Sequence, residues 1–262
     1  MTEIPKDHPR YESLTERHNL IEGMHQKIVA EAGLIAHGRG EAFDYLLGEA
    51  TPDYALIQEK TAVAMLLRAK KPVISVNGNI AVICPKELVQ LSEITNASLE
   101  VNLFYRTKER EENIANKLRT AGANKILGVN LGDNAATIPE ITHNRRIVDP
   151  KGIATADVVF VPLEDGDRTM ALRKMGKKVI TVDLNPLSRT SIWSSISIVN
   201  HVKRATKEMI GFAQRFSSYS QDKLDKMVKS YDNNDYLQIS VRFMAERLLT
   251  LAKQNLQEGE KK

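Results

Sequence analysis

Asn77, Asn79, Arg106, Asp165, Asp167, Asp183 and Arg189 share one feature: each stands where an apolar run stops. VISVNGN (73–79), LEVNLFYRT (99–107), VVFVPLEDGDRT (158–169) and VITVDLNPLSRT (179–190) each read as a buried strand that ends in Asn, Asp or Arg. Parallel α/β sheets place their ligand crevice just beyond the carboxyl ends of the strands. Four such ends facing one pocket would supply cations for anionic oxygens, carboxylates for a metal or a ribose, and amides for orientation. That is the equipment of a nucleotide-using enzyme.

VDLNPLSRT carries the strongest local signal. Asp183 at a strand end can accept hydrogen bonds from ribose hydroxyls. Asn185 before Pro186 must turn, and Arg189 with Thr190 would aim donors into the same crevice. In PLEDGDRT, Glu164, Asp165 and Asp167 surround Gly166 just before a helix. Carboxylates beside bound phosphates are the usual way to hold magnesium, although Asp167 as a plain N-cap is an equal alternative. GLIAHGRGE (33–41) reads as a glycine loop in which Arg39 and His37 could embrace an anion, but it lacks the Lys-Ser or Lys-Thr of a P-loop. His37 could equally be a packing residue. VNGN fits either an orienting pair of amides, Asn77 and Asn79, or an ordinary turn. Arg106 is a plausible fork for phosphate or carboxylate, and Arg17 reads as a solvated face residue.

These motifs need a frame. Residues 1–71 read as helical: 13–31 with Leu14, Leu20, Ile21, Met24, Ile28 and Val29 at helical spacing, a short helix around Phe43, Leu46 and Leu47, and a third from 52 to about 70. From 72 to 201 short β-rich runs alternate with helical stretches, the signature of βαβ units and a mainly parallel sheet. The strand candidates are 73–76, 99–104, 125–129, 158–161, 179–182 and 197–199; the helices between them are 86–95, 108–121 and 168–175. The connection 130–156 is long and polar, as functional or mobile loops are. Residues 202–262 read as helices to about 216, at 221–229 and at 236–256, with a charged tail expected to fray. The expectation is one α/β domain, a Rossmann-like sheet flanked by helices, with helical N- and C-terminal segments.

Composition narrows the class. The net charge of +4 from 37 basic and 33 acidic residues favours anionic ligands locally but is too small to argue for nucleic acid. A single cysteine, Cys84, excludes an intramolecular disulfide and any multi-cysteine metal site. No apolar run approaches the roughly 20 residues of a membrane span and no signal peptide is evident, so a soluble, cytoplasmic protein is expected. The GxGxxG, GxSxG, HExxH and RNP patterns are missing from the sequence.

Taken in order, PKDHPRYESLTER, AGLIAHGRGEAFDYL, PVISVNGN, LEVNLFYRT, ADVVFVPLEDGDRT and VITVDLNPLSRT resemble the archaeal phosphopantothenate synthetase (4-phosphopantoate:beta-alanine ligase) family. The resemblance implies a Rossmann-like homodimer of coenzyme A biosynthesis. It would join 4-phosphopantoate to beta-alanine with ATP and Mg2+, releasing AMP and pyrophosphate through an acyl adenylate. It further implies that Arg17 and Arg39 contact ATP, that Asp183, Leu184 and Asn185 bind the nucleoside beside Arg189 and Thr190, and that His201 and Val202 complete the adenine pocket. Where the family tends to carry Asn, this chain has His201. To these the sequence adds Asn77, Asn79 and Arg106 for phosphopantoate, Asp165 or Asp167 for magnesium, and Arg39, His37 and Arg106 as the groups nearest the chemistry. The alternatives are an ATP- or AMP-sensing regulatory module without turnover and a kinase-like phosphotransferase that would release ADP.

Overall fold

Strand runs such as PVISV and KVITV alternate their side chains between two apolar layers, and that requirement shapes the architecture. In the computed structural model, which describes residues 4–259 with side chains through 254, eleven α-helices and eight strands are present among the described residues. The last three residues of the charged tail, expected to fray, lie outside the described residues. The chain opens with α1 (Tyr11–His25), α2 (Glu31–Leu47) and α3 (Asp53–Arg68) and enters the sheet through β1 (Pro72–Val76). Then come α4 (Gly78–Ile83), α5 (Pro85–Thr95), β2 (Ser98–Val101), α6 (Lys108–Thr120) and β3 (Ile126–Leu127). A small antiparallel pair, β4 (Ala136–Thr137) and β5 (Ile147–Val148), precedes β6 (Val158–Phe160), α7 (Gly166–Lys174), β7 (Lys178–Val182), α8 (Arg189–Trp193) and β8 (Ile196–Ile198). Helices α9 (Val202–Phe216), α10 (Gln221–Lys229) and α11 (Asn233–Gly259) close the chain.

The main sheet runs β3-β2-β1-β6-β7-β8 with every pair parallel. Counted within this sheet alone the order is 3-2-1-4-5-6, the doubly wound Rossmann arrangement, whose switch point falls between β1 and β6. On one face Ile74, Val76, Phe160, Ile180 and Ile198 pack with Ala62, Leu66, Leu88 and Met209 of α3, α5 and α9. On the other, Val73, Val159, Val161 and Val179 pack with Leu172 and with Ile138, Ile141, Val148 and Ile153. Truncating Ile74, fully buried, to Ala would cost roughly 2–5 kcal/mol.

The expected elements are present, with several differences. Residues 33–40 are not a glycine loop: they lie inside α2, which ends at Gly48 in the left-handed region (φ 87°), where Gly48 N–H and Glu49 N–H both donate to Asp44 O. α1 stops at His25, because Lys27 takes a positive φ of 55°. β2 ends at Val101, short of 104, and β3 is confined to two residues. The connection 130–156 is the crossover that returns the chain from the sheet edge at β3 to its centre at β6, and it brings its own apolar cluster. The buried Glu100 carboxylate pins it, accepting from Asp149 N and Ile153 N at 2.9 and 2.6 Å. Among the described residues no helix is long and apolar enough to cross a membrane. Cys84 is fully buried.

Candidate active site

Asn77 follows β1 and begins the site. Its Oδ1 caps α4 by accepting from Ile80 N at 3.1 Å, while its Nδ2 reaches across the switch point to Pro162 O and Leu163 O beyond β6 (3.2 and 3.1 Å). VNGN is therefore a helix start rather than an ordinary turn. Asn79 lies in the first turn of α4 and donates to Gly33 O at 2.8 Å, fixing α2 over the strand ends. Between them opens a cleft of about 390 Å³, at the crevice that the Rossmann order predicts.

On the β7–β8 side the cleft is lined by His37, Arg39, Gly40 and Glu41 of α2, by Leu184, and by His201 and Val202. Asp183 shapes this side from beneath: its oxygens accept from Asn185 N (2.9 Å) and Ser188 Oγ (2.5 Å), and burial raises its pKa. Asn185 and Thr190 hold the same loop, through Leu187 N and Ser191 Oγ to Asn185 and through Thr190 Oγ1 to Glu164 O. His201 caps α9, its Nδ1 accepting from Lys203 N and its Nε2 lying 3.0 Å from Glu16 Oε1. His37 Nδ1 stands 3.7 Å from the same Glu16 oxygen. Burial raises the Glu16 pKa, and the two histidines more than offset it, leaving the carboxyl below its ordinary range. Burial likewise lowers the pKa of His37 and favours the neutral imidazole.

Across the switch point the cleft is strongly charged. Glu164 is buried between the Arg145 and Arg168 guanidiniums, paired with both; burial opposes its ionisation, yet the two cations hold its pKa at about 2. Its neighbour Asp165 has the opposite fate, pushed up to about 7 by burial and by the Glu164 charge. Asp165, not Asp167, is the N-cap of α7, accepting from Arg168 N at 2.8 Å. Asp167 is exposed and paired with Arg189 at 2.5 Å. Among the described residues no three His, Cys, Asp or Glu side chains group to hold a metal ion. Asp165 Oδ2, buried at the cleft without a hydrogen-bond partner and 3.8 Å from Arg145 Nε, is a carboxylate oxygen of the kind that can share a cation with phosphates.

Of the residues singled out in the sequence, the cleft collects His37, Arg39, Asn77, Asn79, Asp165, Leu184, His201 and Val202. Arg17 instead lines an adjoining cavity and is bidentate to Glu41 (2.7–3.0 Å). Arg106 is spent elsewhere: it pairs with Glu111 and donates to Ile147 O and Gly128 O (both 2.8 Å), stitching the crossover to β3, and it does not line the cleft. Arg110 and Arg145 stand at the cleft in its place. Arg110 lies four residues on, in the first turn of α6, and Arg145 in the Asn144–Arg146 turn of the crossover. Sequence reasoning passed over both, since a basic residue in a helix or a polar loop reads as solvated.

A Rossmann-order sheet with a cationic, carboxylate-bearing cleft across its switch point defines a protein of the doubly wound α/β class. Within that class the sequence matches the family described as phosphopantothenate/pantothenate synthetase over residues 54–247. It is 50% identical over 257 residues to the 4-phosphopantoate--beta-alanine ligase of Thermococcus kodakarensis, covering 98% of this chain and 97% of that one. It is 50% identical to the ligase of the same name from Methanosarcina mazei over 252 residues (96% and 98% of the two chains). For that from Methanospirillum hungatei the identity is 44% over 248 residues (95% and 99%). The chain belongs to the phosphopantothenate/pantothenate synthetase family.

Proposed function

We propose that this chain, as one α/β ligase domain, condenses 4-phosphopantoate with beta-alanine at the expense of ATP, in coenzyme A biosynthesis in the cytoplasm. The observation that carries the reading is near-end-to-end similarity to ligases of that name, joined to a single cleft that spans the switch point. A carboxylate is a poor acyl donor. Its oxygen therefore attacks the α-phosphorus of ATP, pyrophosphate leaves, and the amine of beta-alanine opens the acyl adenylate to give 4′-phosphopantothenate and AMP. Both steps concentrate negative charge, so positioning and cationic stabilisation supply most of the catalysis.

In this reading the nucleoside lies on the β7–β8 side against Leu184, His201 and Val202, in a loop that Asp183, Asn185 and Thr190 hold in shape. Arg39 and, through the adjoining cavity, Arg17 take the phosphates, with Arg189 at the loop edge. Asn77 and Asn79 orient the acid at the switch point, and His37 is the neutral base nearest the reacting groups. Arg106 builds the wall behind them rather than touching substrate. Of the two carboxylates expected to hold magnesium, Asp165 lines the cleft and would hold it, and the ion would neutralise phosphate charge, whereas Asp167 is paired with Arg189.

The test is to incubate the protein with ATP, magnesium, 4-phosphopantoate and beta-alanine and to follow AMP, pyrophosphate and ADP separately. AMP and pyrophosphate that require both co-substrates are expected. ADP would replace the adenylate by phosphoryl transfer, and ATP binding without turnover would leave only a sensing module.

A further inference from the structure

Arg110 is a cation without a counter-ion. Its Nη1 donates to Tyr105 O and its Nη2 to Ile28 O at 2.9 Å, both neutral carbonyls, and its Nε is buried with no partner. Among the described residues no carboxylate comes within ion-pairing range of it. Burial, and secondarily the charge of Arg145, lower its pKa. Arg145 also lines the cleft, and its Nε too is buried without a hydrogen-bond partner. Arg145 shares its charge with Glu164 and stands 3.8 Å from Asp165. Arg110 shares its charge with nothing. Two guanidiniums that disfavour one another at one end of a cleft are stabilised by an anion between them, and a guanidinium is suited to forked contacts with phosphoryl oxygens.

The topology says which anion. Arg110 follows β2 and stands on the β1–β2 side of the switch point, whereas the nucleotide loop follows β7 and His201 follows β8. In the reading given above, on which this inference rests, the acid's carboxylate must meet the α-phosphorus near the middle. The other end of its short carbon chain then falls on the β1–β2 side.

We infer that Arg110, assisted by Arg145, binds the terminal phosphoryl group of the acid substrate, and that Arg110 is the residue by which the enzyme distinguishes a phosphorylated hydroxy acid from its unphosphorylated parent. The site takes a phosphate monoester dianion. It explains why a chain with so many strand-end polar groups keeps an unneutralised arginine under its central cleft.

The experiment compares Arg110→Gln with the unaltered protein, using 4-phosphopantoate and pantoate, the latter as slow substrate or as competitive inhibitor. Loss of a charge-assisted contact should lower kcat/KM for 4-phosphopantoate roughly 10- to 100-fold, mainly through KM. The loss on pantoate should be at least tenfold smaller, so the preference for the phosphorylated acid collapses while KM for ATP and beta-alanine stays within about twofold. Equal losses on both acids would assign Arg110 a merely structural role and overturn the inference. Should the variant fail to fold, inhibition of the unaltered protein by inorganic phosphate decides: competition against 4-phosphopantoate supports the site, and competition against ATP alone overturns it. Absence of AMP formation by the unaltered protein with either acid would instead sink the ligase reading itself.

Discussion

Glu59 is fully buried on α3, and its Oε1 accepts from Asn200 Nδ2 at 2.8 Å. Asn200 Oδ1 in turn accepts from His201 N at 2.8 Å, so the carboxyl props the strand end that presents His201 to the cleft. Glu59 Oε2 and Glu208 Oε2 are both buried without conventional partners, a conflict that one shared proton resolves. Burial and this neighbour push the Glu59 pKa up to about 10. A carboxyl whose folded pKa lies above its unfolded value of 4.5 contributes stability that is full below about pH 4.5 and is lost as pH rises towards 10. Glu59→Gln keeps the acceptor for Asn200 and donates permanently to Glu208. It should change little at pH 5 and gain on the order of 2 kcal/mol at pH 9, about 4–8 °C in a chain of this size. Thermal denaturation at the two pH values checks this, and an equal shift at both would show that the shared proton is not the cause. Such residues are nearly illegible in sequence, because a glutamate in an amphipathic helix reads as solvated until its neighbours are known. Arg106 and Arg110 make the same point at the cleft. The sequence exposes Arg106 at the end of an apolar run, yet tertiary packing spends it on Glu111 and leaves Arg110, in the first turn of α6, at the cleft.

Among the elements, α2 departs furthest from expectation. Glycine is the poorest helix former after proline, and Gly33, Gly38 and Gly40 in eight residues argue for a loop on propensity alone. The helix survives because its ends and its face are fixed elsewhere: Asn79 holds Gly33 O, Gly48 closes the C-terminus, and Leu47 is buried. A side chain at Gly33 would overlap Asn79 Oδ1. At Gly38 a Cβ would meet nothing within 4 Å, and at Gly40 only Leu184 Cδ1 at 3.7 Å. Internal packing therefore does not demand the last two glycines. Gly38→Ala and Gly40→Ala should each stabilise the unliganded protein by about 0.5–1 kcal/mol. Only Gly40 faces the main cleft, so only Gly40→Ala should also raise KM for ATP, by roughly tenfold. Paired melting curves and ATP titrations read both effects; a stabilised Gly40→Ala with unchanged KM would move the nucleotide off this face. The six strands of the main sheet were legible as short apolar runs, most of them buried on both faces, whereas β4 and β5, two residues each inside the polar connection, were not. The short α4 and α8 were not, since six and five residues carry too little periodicity to separate a helical turn from a loop.

At the scale of the whole molecule, the site proposed above divides between the halves of the doubly wound sheet, with the loops beyond β7 and β8 on one side and Arg110 and Arg145, beyond β2 and in the crossover, on the other. The helices that flank the β7–β8 half leave apolar side chains uncovered. Leu187, Ile192 and Trp193 are exposed around α8, Ile192 by 60%, and Ile239, Val241, Leu248 and Leu249 are exposed along α11, Leu249 by 64%. α8 packs directly against α11, so the exposed residues belong to neighbouring surfaces. Large apolar side chains exposed on adjoining helices make this face a candidate interface, and the family resemblance implies a homodimer. We therefore expect a concentration-dependent dimer joined through α11 and α8. Leu249→Glu with Ile192→Glu would bury two charges in that interface at a cost of several kcal/mol, so sedimentation velocity should show a dimer for the unaltered chain and a monomer for the double variant. A monomer at all concentrations for the unaltered chain would leave the apolar surface without this explanation. A double variant that stays dimeric would place the interface on another face, and it would free the nucleotide loop beside α8 from any role in subunit contact.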